Sequence, residues 1–409
     1  MLNLKPRRMP TNELISVTEA KAILEQQSFP RRIVQLPLLH AVGYTVAEDI
    51  FSPIDIPSFN QSSMDGYAFA FADLGTVDEF TVKKVLAAGS SERFSVSAGE
   101  AVRIFTGAAL PQGTDTVIIQ EQTMPSGDGV QFLHKDLKQG DNNRLQGSDI
   151  KAGQIAMPAL SILNEGAIGF LAGLGITKVN VIARPSVALV ITGDELQEPG
   201  LPLQFGQVYE ASSAMLRAAL LQMGITNVKV FYARDIMEDT VSAIREALTS
   251  SDIVLITGGV SVGDYDFVVR AAQQCSVEQL FHKVRQRPGK PLFAGRRGDQ
   301  PVFGLPGNPS SVLTCFYQYV WPLLRTLMGS QPSLTTLTVP LTDPYEKKHL
   351  LTHFLKGRYQ AGVVTILPGQ ESYRMRSFAV ANCLVVLDET ARVFAKGEQV
   401  TIYLLPVYG

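Results

Sequence analysis

The chain has 409 residues, with 36 Lys or Arg against 38 Asp or Glu, a net charge of −2 at neutral pH. That length exceeds what one hydrophobic core supports and predicts several domains. The near-balanced charge, with no basic tail, argues against nucleic acid as a partner.

Cys275, Cys315 and Cys383 are scattered without CxxC spacing, which argues for a reducing compartment and against a disulfide framework or zinc knuckle. The N-terminus carries basic residues with no apolar run behind them, so no signal peptide is expected. The longest apolar stretch, 312–328, contains Pro322 and Arg325 and falls short of the roughly 20 residues a membrane span needs. A soluble, cytoplasmic protein without a membrane partner is expected.

Ser16-Val17-Thr18-Glu19 is a capping-box pattern, predicting a helix that Pro30 closes. A second helix is expected over Leu36 to Ile50. Short alternating runs punctuated by glycine follow: Phe80 to Ala88, Arg93 to Val96, Val102 to Phe105, Thr116 to Gln120 and Val130 to His134. They predict a small antiparallel β-domain. Two short helical pieces are expected within 153–176. From Pro185 strands alternate with helices: strands at 187–192, 226–232, 252–257 and 301–304, helices at 211–223, 238–249, 264–274 and 310–327. That alternation predicts a doubly wound α/β domain on a parallel sheet. After Gln331 the pattern returns to strands (Leu337 to Leu341, Leu350 to Arg358, Val363 to Leu367, Cys383 to Leu387, Gln399 to Leu404). The expected fold class is multidomain α/β plus β. Its units are a split helical domain (8–52 and 144–182), an inserted β-domain (53–143), an α/β domain (183–330) and a C-terminal β-domain (331–409).

Ligands of such sheets sit at the carboxyl ends of the strands. Two of those ends open into glycine turns, Gly258-Gly259-Val260-Ser261-Val262-Gly263 and Pro306-Gly307-Asn308-Pro309. Each is followed by an expected helix, at Asp264 and at Ser310. Backbone N–H groups and helix N-termini at such junctions suit an anion, but each terminus contributes only about 0.3–1 kcal/mol. The intervening cations Lys283, Arg285, Arg287 and Lys290 must supply much of the grip. Asp194, Glu195, Asp264 and Asp266 occupy the same ends. A carboxylate about 6 Å from an anion is repelled by roughly 3 kcal/mol at an effective dielectric near 20. Anion cradles mixed with carboxylates therefore point to a bridging cation, most simply Mg²⁺ between oxygen ligands and a phosphate.

Two decoys stand beside this reading. Gly259-Val260-Ser261-Val262-Gly263 is a literal GxSxG between strand and helix, the pattern of a serine-hydrolase elbow. Of the downstream histidines, His349 and His353 fall in the C-terminal unit and His282 beside the basic run, so the anion-loop reading outranks a hydrolase using Ser261. His349 and His353 are four apart, as metal ligands on a helix would be, but their strand-like apolar surroundings favour a structural role.

The segments TGDEL (192–196), TGGVSVGDYDF, RPGKP and LPGNPSS resemble the molybdopterin-binding domain of the molybdopterin molybdenumtransferases, the MoeA and gephyrin E-domain family. MDGYA (64–68), RIFTGAALPQGTDTVI (103–118) and RLQGSDIKAG (144–153) match the same family in the same order. The resemblance implies molybdate insertion into adenylylated molybdopterin with Mg²⁺ and release of AMP. It implies an elongated homodimer, its active site shared between the α/β domain of one subunit and the β insertion of the other. Other molybdenum-cofactor biosynthesis enzymes are expected as partners.

Residue by residue, the resemblance gives Asp65 and Thr106 the closing of the site and help in anhydride cleavage, and puts Arg144 and Asp149 on the same wall. Glu195, Asp235 and Asp266 become candidates to hold Mg²⁺. Lys283, Arg287, Lys290 and Arg358 would grip molybdate, with Ser377 reaching the same site. Gly258, Gly259, Ser261, Gly263, Asp264, Pro306, Gly307, Asn308, Pro309 and Ser310 would cradle phosphate and pterin. Three positions depart from the family pattern. Arg287 stands where lysine is usual, and Glu210 and Ser212 replace an Asp and an Asn. The competing functions are a molybdopterin adenylyltransferase, a related activity that MDGYA and the extra domains disfavour, and a non-catalytic molybdopterin-binding scaffold.

Overall fold

The structure is a computed structural model that describes residues 14–133, 136–260 and 267–406. The expectations for Ser261, Gly263, Asp264 and Asp266 lie outside the described residues. The chain divides into two compact units, 1–34 with 182–409, and 35–181.

The first unit opens with α1, Val17–Glu25, whose Ser16–Glu19 capping box forms as the sequence predicts. Its Ala20 and Leu24 pack into the α/β core rather than into the segments downstream. The central sheet has six strands: β1 (Val187–Thr192), β2 (Val228–Ala233), β3 (Ile253–Thr257), β4 (Glu278–His282), β5 (Phe293–Arg297) and β6 (Gln300–Leu305). Their spatial order is β2-β1-β3-β6-β5-β4. The first four run parallel, and β5 runs antiparallel between β6 and β4. The sequence had suggested only the parallel four.

Period-two alternation sorts the strand residues onto two faces. Val187, Leu189, Ile191, Ile253 and Leu255 enter one core with α2 (Ser212–Gln222) and the helices after β6. Ala188, Val190, Val254 and Ile256 enter the other with α3 (Met237–Ser250) and α4 (Phe267–Gln274). Each buried Val, Leu or Ile among them contributes roughly 1.5–3 kcal/mol, which holds the strand ends in fixed register. The helix expected at 310–327 is three segments: α5 (Pro309–Cys315), a π turn (Phe316–Val320) and α6 (Trp321–Leu327). Pro322 has no N–H to return to the carbonyl of Gln318, so the ladder widens there.

The same unit contains the C-terminal sheet, in the order Gln286–Arg287, Thr352–Gln360, Cys383–Leu387, Gln399–Leu404, Thr336–Pro340. The short strand Gln286–Arg287 pairs in parallel with Thr352 and His353, tying the basic segment to this sheet. All three cysteines are buried and unpaired.

In the second unit a six-stranded sheet has Gly66–Phe69 inside it, between Thr116–Ile119 and Glu100–Ile104. MDGYA thus leads from a bend at Asp65 into a strand that begins at Gly66. A Cβ on Gly66 would strike the carbonyl of Ile118. Phe80–Leu86 pairs parallel with Glu100–Ile104, so the sheet is mixed rather than antiparallel throughout. The strand expected at Arg93 to Val96 is one isolated bridge, Ser95 to Gln112. The helix expected over Leu36 to Ile50 is absent. Ile33–Pro37 is extended, Leu38–Ala41 makes one 3₁₀ turn, and Gly43 at φ 74° leads into extended Thr45 and Val46. Among the described residues of this unit one α-helix occurs, Glu165–Gly173, capped by Asn164.

Candidate active site

The carboxyl ends of β1, β2, β3 and β6 open into one cavity of about 790 Å³ within the first unit. The sequence-predicted residues on its wall are Glu195, Asp235, Gly258, Gly259, Arg287, Lys290, Pro306, Gly307, Asn308 and Pro309. The two glycine turns touch, since a Cβ on Gly307 would lie 3.8 Å from the Cα of Gly258. Gly258 itself has φ 90°, and a Cβ there would come within 2.5 Å of Thr192 O and Oγ1. Only glycine lets the end of β3 press this closely on the end of β1.

The acidic side of the cavity comes from β1 and β2. Glu195 follows Thr192 in a turn, and the Asp235 backbone N–H donates to Asp194 Oδ1 at 3.2 Å. Burial, and then the charges of Glu195 and Asp194, push the Asp235 carboxyl above the usual carboxylate range. This is a local excess of negative charge that a bound cation would offset. Among the described residues no three His, Cys, Asp or Glu side chains group to hold a metal by themselves. Two carboxylates plus phosphate oxygens and water nevertheless fit the habits of Mg²⁺, which seldom uses an all-protein cage.

The basic side comes from the segment after β4. Gln286–Arg287 is pinned to the C-terminal sheet, and Gly289 at φ 85° turns the chain so that Lys290 also reaches the cavity. A Cβ at Gly289 would collide with Cys315 Sγ. Gln286, fully buried, donates to Gly289 O at 3.0 Å and accepts from the Tyr319 hydroxyl, which fixes this turn from behind. Glu210 and Ser212 also line the wall. Glu210 accepts from Ser213 N at 2.8 Å in the first turn of α2, so the carboxylate that departs from the family pattern has a structural partner.

Several expected residues are elsewhere. The cavity wall contains neither Lys283, Arg358 nor Ser377. Lys283 is held by its backbone, with its N–H on Leu292 O at 2.9 Å and its φ at 69°. Arg358 is exposed far along its strand, and Ser377 Oγ donates internally to Gly369 O at 2.6 Å. Ser310 lies buried beneath the 306–309 turn, its Oγ without a hydrogen-bond partner. His282 is buried with Nε2 3.3 Å from Val260 O, and burial holds its pKa below the ordinary histidine value, an arrangement of structural character.

In the second unit, Asp65 Oδ1 accepts from both Thr106 N and Thr106 Oγ1 at 2.8 Å. These two bonds hold the Asp65 carboxyl below the usual range, so it is an anchored carboxylate at neutral pH rather than a proton donor. Arg144 and Asp149 are exposed in the same unit.

Known proteins agree with this architecture. Family profiles match end to end: the MoeA N-terminal region (domain I and II) over 15–175, a probable molybdopterin binding domain over 188–326, and the MoeA C-terminal region (domain IV) over 338–405. The chain belongs to the MoeA family. The molybdopterin molybdenumtransferase of Staphylococcus epidermidis is 34% identical over 95% of this chain and 95% of its own. That of Haemophilus influenzae is 33% identical over 95% of this chain and 98% of its own. Two crystal structures of molybdopterin biosynthesis MoeA proteins from Pyrococcus horikoshii superpose with TM-scores of 0.85 and 0.80. Each is 28% identical over 96% of this chain, and over 99% and 100% of theirs.

For this MoeA-family chain the motifs alone had missed one wall. Gln370, Glu371, Ser372 and Tyr373, from the C-terminal β-region, face the glycine turns, and Asn308 Nδ2 donates to Ser372 Oγ at 3.1 Å. The buried Lys356 holds this loop, its Nζ donating to Gly369 O at 2.7 Å, Arg374 O at 3.0 Å and Glu371 O at 3.4 Å. Its backbone also exchanges two hydrogen bonds with the Gln370 amide, each 2.9 Å. The C-terminal region therefore reaches the cavity through Leu351 and the loop that Lys356 fastens, and neither Arg358 nor Ser377 is on its wall.

Proposed function

We propose that the protein is a cytoplasmic molybdopterin molybdenumtransferase that inserts molybdate into adenylylated molybdopterin and releases AMP. The observation that carries this reading is the convergence of Glu195 and Asp235, the two glycine turns, and Arg287 with Lys290 on one cavity in a MoeA-family chain.

Arg287 and Lys290 bind the molybdate dianion through charge-assisted hydrogen bonds, the guanidinium fork matching two oxygens at once. The 258–259 and 306–309 turns present backbone to phosphate and pterin. Glu195 and Asp235 would hold Mg²⁺, which when bound offsets the charge of the phosphoanhydride. The loop 370–373 closes one side and keeps the substrate against the turns. We place Asp65 and Thr106 as an ionised carboxylate and its anchor on the opposing wall, contributed by the second subunit of a homodimer, with Arg144 and Asp149 beside them. Transfer of substrate and product to other molybdenum-cofactor enzymes belongs to the same proposal, as does the four-unit division of the chain.

The test incubates the pure protein with adenylylated molybdopterin, Mg²⁺ and molybdate, and measures AMP and active cofactor. The wild type is expected to release AMP and form cofactor, and Glu195→Ala to bind substrate without turnover. Binding without AMP release by the wild type would favour a scaffold.

A further inference from the structure

Asp65 is held in the second unit by more than Thr106, and the further contacts meet in one side chain, Arg103. That residue lies on the strand Glu100–Ile104, directly opposite Tyr67 in the register with Gly66–Phe69. Phe105, two residues on, shares its face. The guanidinium sits over both rings, 5.2 Å from the Tyr67 centroid and 5.0 Å from that of Phe105. The ring faces attract the cation and limit its swing.

Its donors go to the two residues that frame Asp65. Nη1 donates to Gly66 O at 3.0 Å, and Nη2 donates to Gln120 Oε1. Gln120 in turn donates its backbone N–H to Asp65 O at 3.0 Å. The Gln120 amide has one orientation, because its Nε2 meets Glu121 Oε1 at 3.2 Å and leaves the oxygen to the guanidinium. One fork therefore bridges the carbonyl that follows Asp65 and the residue that holds the Asp65 carbonyl. Thr106 takes Asp65 Oδ1, and among the described residues no hydrogen bond goes to Oδ2, which is left for a ligand. The two Thr106 bonds do most to lower the Asp65 pKa, and the Arg103 charge adds to them. The buried clusters of this sheet are built without Arg103, from Ala68, Val102 and Ile104 on one side and Phe69, Ala101 and Ile118 on the other.

We propose that Arg103 is a positioning residue for Asp65: its fork, bridging Gly66 O and Gln120, fixes the bend at Asp65 and so the direction in which Oδ2 is presented. The proposal rests on the reading of Asp65 as a residue of the transfer site. A planar fork held between two rings can span both acceptors at once, which the single ammonium of a lysine cannot. Reacting groups lose rate steeply when displaced by as little as an ångström, so a clamp on the backbone of Asp65 matters more to turnover than to folding.

The experiment compares the full-length wild type with Arg103→Met, which keeps an apolar stem over the rings, and follows backbone amide exchange by NMR. Thr106 and Gln120, whose N–H groups hold Asp65, should exchange at least about tenfold faster in the variant. Thr81, bonded to Gly99 O in the same sheet, should keep its rate. In steady state, kcat for AMP release should fall about tenfold or more with KM nearly unchanged. In an Asp65→Asn background the same substitution should cost nothing further, because Arg103 acts through Asp65. Arg103→Lys should show the same losses in smaller measure, and it replaces the Met variant if that one does not fold. Wild-type exchange at Thr106 and Gln120 in a folded Arg103 variant would overturn the proposal, and so would faster exchange with an unchanged kcat. If the wild type releases no AMP, the transfer reading fails, while the exchange rates still decide whether Arg103 positions Asp65.

Discussion

Replacing Lys356 by Met keeps the aliphatic stem and removes only the ammonium, so it isolates the clasp on the 369–374 loop. In the wild type that ammonium satisfies Gly369 O and Arg374 O at 2.7 and 3.0 Å, and Glu371 O more weakly at 3.4 Å. Leaving a buried carbonyl without its donor costs about 1–3 kcal/mol, so two or three of them could cost several. Part of this is recovered, because burial already penalises the charge and holds the Lys356 pKa below the ordinary lysine value. The net loss should be about 2–3 kcal/mol. For a unit of this size that lowers the melting temperature by about 5–10 °C. The larger effect should fall on substrate, because Gln370 to Tyr373 are the part of the loop that faces the cavity. Calorimetry and steady-state AMP release would show a lower Tm and a raised KM with a smaller change in kcat, and Lys356→Arg should recover most of both. A Met variant with wild-type Tm and KM would refute the reasoning.

Gly258→Ala should destabilise the fold by about 2 kcal/mol or more, since it adds a close contact with Thr192 to an unfavourable φ. Gly75→Ala shares a positive φ but meets open space and should lose visibly less in parallel denaturant titrations. Mixing Asp65→Ala with Glu195→Ala subunits should restore about a quarter of wild-type AMP release if each site draws on both subunits of a dimer, and none if it does not. Lys21 predicts a pH dependence of stability. Its folded pKa of about 8 lies below the ordinary 10.5, so between these values the unfolded chain binds more protons and stability rises with pH. Relative to Lys21→Met, the wild type should gain about 3 kcal/mol from pH 8 to pH 10.5 in urea unfolding, and a flat difference would contradict it.

The parallel strands and glycine turns were legible because each is a local pattern: an apolar run, then residues that permit a positive φ at its end. The antiparallel pair β4 and β5 was not, because Glu278–His282 and Phe293–Arg297 are short and flank a basic segment that reads as linker. The Leu36 to Ile50 stretch shows the opposite failure. Its apolar spacing suits a helix, but Pro37 and Gly43 confine the helical part to one turn, and Thr45 and Val46 bridge to Ile162 and Val181 instead. The family match placed the C-terminal contribution at Arg358 and Ser377, near the loop that makes the wall but not on it. Nothing local in Gln370 to Tyr373 marks them, since their place depends on a lysine fourteen or more residues away and a turn more than sixty residues upstream.

The most direct measurement is an anomalous difference map from crystals soaked in molybdate. A peak within hydrogen-bonding distance of Arg287 and Lys290, lost in Lys290→Ala crystals, is the predicted result. A well-occupied molybdate bound away from that cavity, with none between these two side chains, would contradict the account.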